Sequence, residues 1–314
     1  MFLATIDWSL WLSPWVLGLF GLCIGSFLNV VIHRLPLMLE RQWVHESAAQ
    51  LTDAAAMARA ARLPLAETEK LAKAVDDFGT RIESLPHFGI AAPRSRCPHC
   101  GHQLRWHENL PLVGWLRLGG KCAACKAPIS KRYPLIELIT GLAFATLSWR
   151  FGAQPTTLLW CGFVAALIAL AMIDLDTQFL PDDITLPLLW AGLVAAAMGW
   201  TVPLDKALVG AAAGYLSLWS IYWLYKLVRK REGMGYGDFK LLAAMGAWLG
   251  WPMLLPIILL SSAVGAVVGI CLILFRGHGR EIPIPFGPYL VGGGLVALFV
   301  GQPALLGLLG LYLG

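Results

Sequence analysis

The chain has 314 residues, 58% of them hydrophobic and 14% charged, with 14 Trp and a formal net charge of +5 at pH 7. Soluble domains carry charge on about a quarter of their residues, so this composition excludes an ordinary water-soluble globule. It indicates a chain solvated mostly by lipid, with no nucleic-acid partner expected.

Taken in order, residues 1–9 hold no basic residue, contain Asp7 and lead into an apolar run with no small-x-small cleavage pattern, which predicts a retained first helix rather than a removable signal. Uncharged runs at 10–32, 156–173, 184–204, 207–225 and 241–275 are each near or above the roughly 20 residues that cross a bilayer as a helix. The last is long enough to turn back near Gly250-Trp251-Pro252 and cross twice. Shorter candidates are 135–149, carrying only Glu137, and 285–300, with 302–314 left as an apolar tail. The expectation is an all-α polytopic membrane protein of about eight transmembrane helices, divided into a first helix (1–33), a cytoplasmic domain (34–134) and a membrane core (135–314).

Basic residues orient it, because Lys and Arg stay on the cytoplasmic side during insertion. With the amino terminus outside, the inner segments hold 22 of the 24 Lys and Arg, leaving Arg150 and Lys206 outside. The insert after the first helix begins with an Ala-rich stretch at 47–83, predicted as solvent-facing or interfacial helix without chemistry of its own. Its second half carries Cys97-Pro98-His99-Cys100 and, 21 residues later, Cys122-Ala123-Ala124-Cys125. Two such knuckles suit a closed tetrahedral zinc site of the structural kind, the alternatives being reduced thiols or a redox pair. His99, His102 and His107 lie nearby and are read as surface residues, and Cys23, Cys161 and Cys271 as small packing residues in apolar helices.

Two aspartates decide the chemistry. Asp174 ends one apolar run, Asp238 follows Gly235-Tyr236-Gly237 and precedes another, and the charge count puts both at the cytoplasmic face. Ionisable groups at such positions are costly to desolvate, which marks a reaction centre. Asp176 would face another side of its helix, and Asp182 and Asp183, after Leu180-Pro181, read as caps of the next helix. Glycines around Gly235, Tyr236 and Gly237 would let an extended substrate lie against Asp238. Paired carboxylates can share a proton and activate water for attack on a peptide bond, and neither HExxH nor a Ser or Cys nucleophile beside a His appears in the inner loops. The competing classes are a transporter, which would place acids near the bilayer midplane and show repeated halves, and an assembly factor without catalysis.

These motifs in this order, Gly25-Ser26-Phe27-Leu28-Asn29 through His33-Arg34-Leu35-Pro36, the two CxxC pairs, Ile173-Asp174 with Leu180-Pro181-Asp182, 233–240 and Pro283-Ile284-Pro285-Phe286-Gly287-Pro288, resemble the bifunctional type IV prepilin peptidases along nearly the whole chain. The resemblance implies catalysis by Asp174 and Asp238, substrates among prepilins and the pilin-like subunits of type II secretion, cleavage after a Gly, and S-adenosylmethionine as methyl donor in the inner (cytoplasmic) membrane. No glycine fingerprint for that donor is present, and its site could lie in the insert, in 25–36, or between them. Asn29, Arg34 and Glu108 are polar candidates there.

Overall fold

The computed structural model describes residues 8–276, 284–308 and 310. Among them the only strand-type pairing is two isolated bridges, Arg96 with Gln103 and Lys121 with Pro128. Helix α1 (Trp8–Trp11) turns at Ser13 into α2 (Pro14–Leu51), with Pro14 in the first helical turn, where its missing N–H leaves no bond unmade. The apolar run ends at Ile32, but α2 continues through Pro36 for 38 residues in all. At 1.5 Å per residue it is roughly 57 Å long, so it extends well beyond a hydrocarbon layer.

The chain then folds back on itself. Asp53 accepts the Ala56 N–H at 2.9 Å and starts α3 (Ala54–Ala61). α4 (Leu65–Glu83) follows and lies along the end of α2, burying Ala48, Thr68 and Ala72 while most of its surface stays exposed, as its charge pattern predicts. α5 (Val113–Arg117) sits between the two cysteine pairs. After it come α6 (Arg132–Phe151), α7 (Thr156–Thr177), α8 (Asp182–Ala197), α9 (Leu204–Arg229), α10 (Tyr236–Leu249), α11 (Leu254–Arg276), α12 (Gly287–Val300) and α13 (Gln302–Leu308). α2 and α6 to α12 carry the apolar runs, and a 3₁₀ turn at Trp251–Met253 makes the predicted reversal. The amino-terminal residues 1–7, most of the loop carrying Arg280, and the end of the apolar tail lie outside the described residues.

Among the described residues four segments, Pro14–Leu51, Thr156–Thr177, Leu204–Arg229 and Trp251–Phe275, are long and apolar enough to cross a membrane. α10 and α12 have 14 residues each, short of the roughly 20 a bilayer requires. α10 need not match the bilayer because it is enclosed by α8, α9 and α12, with every residue from Leu241 to Leu249 buried. Lipid is met instead by exposed side chains such as Trp15, Leu142, Trp190, Leu216, Val267 and Phe275, a surface that would aggregate in water.

Small residues set the closest crossings, since association within lipid relies on backbone approach rather than apolar burial. A Cβ on Gly25 would come 2.6 Å from the Glu137 Cα, so α2 and α6 touch backbone to backbone. Gly210 of α9 and Gly246 of α10 do the same. In the core, the Phe163 and Trp248 rings stack with centroids 4.9 Å apart, and the Trp248 indole N–H donates to the Leu188 carbonyl at 2.8 Å.

Candidate active site and metal centre

α7 ends where Gln178 adopts φ 54° and donates its N–H to the Asp174 carbonyl at 2.8 Å. This termination leaves Asp174 in the last turn, facing a cavity of about 650 Å³ that opens between α7, α8, α10 and the segment leading into α12. Asp238 reaches the same cavity from the first turn of α10, after the glycine loop. The sequence separation of 64 residues is closed by packing: both residues are buried, at 5% and 7% exposure, and the charge of Asp174 is felt at Asp238. The Gly235 backbone hydrogen-bonds the Asp238 carboxyl. Gly237 packs so tightly that a Cβ there would sit 2.7 Å from that of Leu180.

Two contributors escaped the sequence reading. The Gly287 N–H donates to Asp174 Oδ2 at 2.9 Å, and a Cβ at 287 would come 2.6 Å from that oxygen. Gly287 opens α12, so its N–H is one of the unpaired donors of a helix start and is free to meet an anion. The other is α2, which lines the cavity with Leu39, Gln42 and Trp43, the last edge-on to Phe179 with centroids 5.1 Å apart. The helix therefore runs past the end expected for the first crossing and walls the site.

Of the remaining acids, Asp176 stands apart as the sequence implied, whereas Asp182 and Asp183 line the same cavity. Asp176 pairs with Arg132 at 2.6 Å, away from the cavity. Asp182 and Asp183 are not caps: Pro181 occupies the N-cap position and both acids lie in the first turn of α8, where carboxylates favour the helix dipole. Asp182 is bonded to Lys240 at 2.7 Å, the residue two after Asp238 that shares its turn of α10.

In the insert, each CxxC closes a hairpin with one of the two bridges. The four sulfurs of Cys97, Cys100, Cys122 and Cys125 lie within 4.8 Å of one another, with Cys97 to Cys125 at 3.8 Å and Cys100 to Cys122 at 3.9 Å. A tetrahedral metal–thiolate centre with bonds of about 2.3 Å has sulfurs about 3.8 Å apart, so the cluster fits a metal ion. Backbone N–H groups of Cys100 and His99 hold the Cys97 thiol down at about 7, whereas burial and the neighbouring thiols push Cys125 up to about 11, so a bound cation would have to draw off the remaining protons. No histidine joins the cluster; His102 instead meets Glu108 at 3.1 Å.

A second cavity, of about 570 Å³, lies between α2, α6 and the cysteine module and brings together Asn29, Arg34 and Glu108. Arg34 is 8% exposed and donates to the carbonyls of Gly89, Ile90 and Pro93. Asn29 donates to the Tyr133 carbonyl at 3.1 Å. The Glu108 carboxyl accepts the Arg105 N–H, and this bond, with His102 beside it, holds it below the usual carboxylate range. The Arg34 bonds pin a loop of the insert onto α2, the Asn29 bond ties α2 to the start of α6, and those of Glu108 brace the insert internally.

Residues 19–151 match the Bacterial Peptidase A24 N-terminal domain, and residues 161–270 match the Type IV leader peptidase family. A protein of Aeromonas hydrophila named prepilin leader peptidase/N-methyltransferase is 48% identical over 93% of this chain and 92% of its own length. Proteins of the same name from Pseudomonas aeruginosa and Burkholderia pseudomallei are 49% and 47% identical over 90% of this chain, and over 89% and 84% of their own. No solved structure matches. The two matched regions run from α2 into α11 and take in most of both cavities, and the likeness extends over nine-tenths of the sequence: the chain belongs to the type IV leader peptidase family.

Proposed function

We propose that this protein is a bifunctional prepilin leader peptidase and N-methyltransferase of the bacterial inner membrane, with Asp174 and Asp238 as its catalytic carboxyls. The observation that carries the peptidase reading is the convergence of these two buried groups, from separate helices, on one open cavity. Carboxyls this near do not both ionise freely, so one holds a proton while the other is ionised. The ionised member takes a proton from a water as its oxygen attacks the peptide carbonyl, and the protonated member donates to the developing oxyanion. The C–N bond then breaks as the leaving amine takes a proton from the pair. The N–H of Gly287 holds Asp174 in place throughout.

The substrates are type IV prepilins and pilin-like type II secretion subunits, cut after a Gly at the start of their hydrophobic helix. Lys and Arg are concentrated in the segments assigned inside, which supports an outer amino terminus and a cavity on the cytoplasmic side. There the scissile bond of an inserted substrate would lie. Gly235, Tyr236 and Gly237 line the approach to Asp238, and Asp183 and Glu232 on the cavity wall give a basic leader local acids to meet. Functionally the chain divides into a first crossing (1–33), a cytoplasmic domain (34–134) and a membrane peptidase core (135–314). Zinc bound by Cys97, Cys100, Cys122 and Cys125 would be structural, since four thiolates leave no open position. S-adenosylmethionine supplies the methyl group for the new amino terminus.

Cleavage of a purified prepilin in detergent by wild type, Asp174→Asn and Asp238→Asn tests the dyad. Each substitution is expected to slow cleavage by at least about 10²-fold, as loss of an acid–base group does. A variant that cleaves at the normal rate refutes it.

A further inference from the structure

The mechanism of cleavage leaves one buried carboxyl without a role. Glu137 of α6 is 7% exposed and lines the second cavity, with no basic side chain ion-paired to it among the described residues. Its Oε2 accepts the Leu112 N–H at 2.8 Å, and the Ser26 hydroxyl is hydrogen-bonded to the same carboxyl. A carboxylate offers about four lone-pair sites, so these two bonds orient it and leave acceptor capacity facing the cavity. The orientation is enforced at some cost. Leu112 takes φ 58° and ψ −51°, a conformation unfavourable for a side-chain-bearing residue, and its N–H is the one directed at Glu137. From the other side, Gly25 brings α2 against the Glu137 backbone. Three elements thus converge to hold one carboxylate at the wall of a cavity.

A buried carboxyl with no partner cation keeps its proton, and gives it up when a cation arrives to pair with the charged form. We propose that the second cavity binds the methyl donor, with the Glu137 carboxylate facing its sulfonium and Phe88, Leu104 and Trp115 forming the apolar wall for its adenosyl group. The proposal rests on the methyltransferase reading above and adds its site. The volume of about 570 Å³ lies within the roughly 300–1,000 Å³ of sites that enclose molecules of this size. The indole of Trp115 is fixed by its bond to the Ile129 carbonyl at 3.2 Å, and Phe88 by the guanidinium groups of Arg34 and Arg41 over its ring. A rigid aromatic wall and one carboxyl free of a partner cation are the two features that suit a cationic nucleoside.

The full-length protein in detergent, titrated by calorimetry with S-adenosylmethionine and with its neutral product S-adenosylhomocysteine, tests this. Wild type is expected to bind the sulfonium more tightly. In Glu137→Gln the affinity for S-adenosylmethionine should fall on the order of tenfold, the size of a lost charge-assisted contact, with little change for S-adenosylhomocysteine. Loss of discrimination at an unchanged melting temperature supports a charge contact that a purely structural Glu137 would not provide. Equal discrimination in wild type and variant overturns the assignment while leaving the methyltransferase reading intact. Failure of wild type to bind either compound overturns that reading itself. Should Glu137→Gln not fold, photochemical labelling of wild type with radioactive S-adenosylmethionine decides: label within residues 88–137 supports the site, and label confined to 232–240 refutes it.

Discussion

Gly287→Ala is the smallest change that separates the proposed site from a generic acid pair. The added methyl carbon would sit 2.6 Å from Asp174 Oδ2 and 3.1 Å from its Cγ. Neither distance is tolerable, so the carboxyl must retreat by several tenths of an ångström or α12 must shift. Either movement stretches the 2.9 Å bond from the Gly287 N–H. A hydrogen bond to a charged group contributes about 1.5–3 kcal/mol, and misplacing a reacting group by about 1 Å can cost 10²-fold. The expected result is a fall in kcat of roughly 10- to 100-fold, with KM for the prepilin little changed because the substrate-binding walls are untouched. A gel-based time course at several prepilin concentrations reads both parameters. Wild-type kcat in Gly287→Ala would show that the N–H does not position Asp174 for the reaction. A rise in KM alone would assign residue 287 to substrate contact instead.

Two further outcomes follow from the packing and the metal cluster. Cys97→Ser should reduce bound zinc from near one equivalent per chain to a small fraction by elemental analysis, because three thiolates and a hydroxyl make a far weaker site than four thiolates; undiminished zinc would count against the cluster as its holder. Gly246→Val would push side-chain atoms into the Gly210 backbone, where even a Cβ finds no room, so the α9–α10 crossing should open and stability fall by about 1–3 kcal/mol. A thermal melt in detergent reads this, and an unchanged midpoint would mean that α10 is not held as closely as its burial implies.

Sequence patterning located the helices well because hydrocarbon imposes a length and a polarity that few other environments do. It located Asp174 and Asp238 because charge is conspicuous in an apolar chain, and Cys97 to Cys125 because ligand spacing is local. Gly287 was not legible as a donor: its contribution is a backbone N–H, which every non-proline residue carries, and only the fold reveals which one meets Asp174. Glu137 was visible as the sole charge in its run, but its hydrogen bonds come from Leu112 and Ser26, 25 and 111 residues away in sequence. The end of α2 was misplaced for a different reason. Hydrophobicity marks where a helix leaves lipid, whereas helix propensity decides where it stops, and residues 37–51 have no Gly or Pro to break it.

That continuation bears on how the two proposed reactions relate. Ser26, Asn29, His33 and Arg34 of α2 line the second cavity, and Leu39, Gln42 and Trp43 line the first. At about 100° per residue these sets fall on roughly opposite faces of the helix. On the proposed reading, the amine released beside Asp174 and Asp238 is therefore screened from the methyl donor by α2. Cleavage and methylation then cannot occur in one pose of the substrate. The cut helix must move around α2 or withdraw and rebind before its terminus reaches Glu137, so an unmethylated, already cleaved product should accumulate transiently even when donor is saturating. Mass spectrometry during a single turnover resolves that species, and its absence from the earliest time points onward would mean that the two cavities communicate directly.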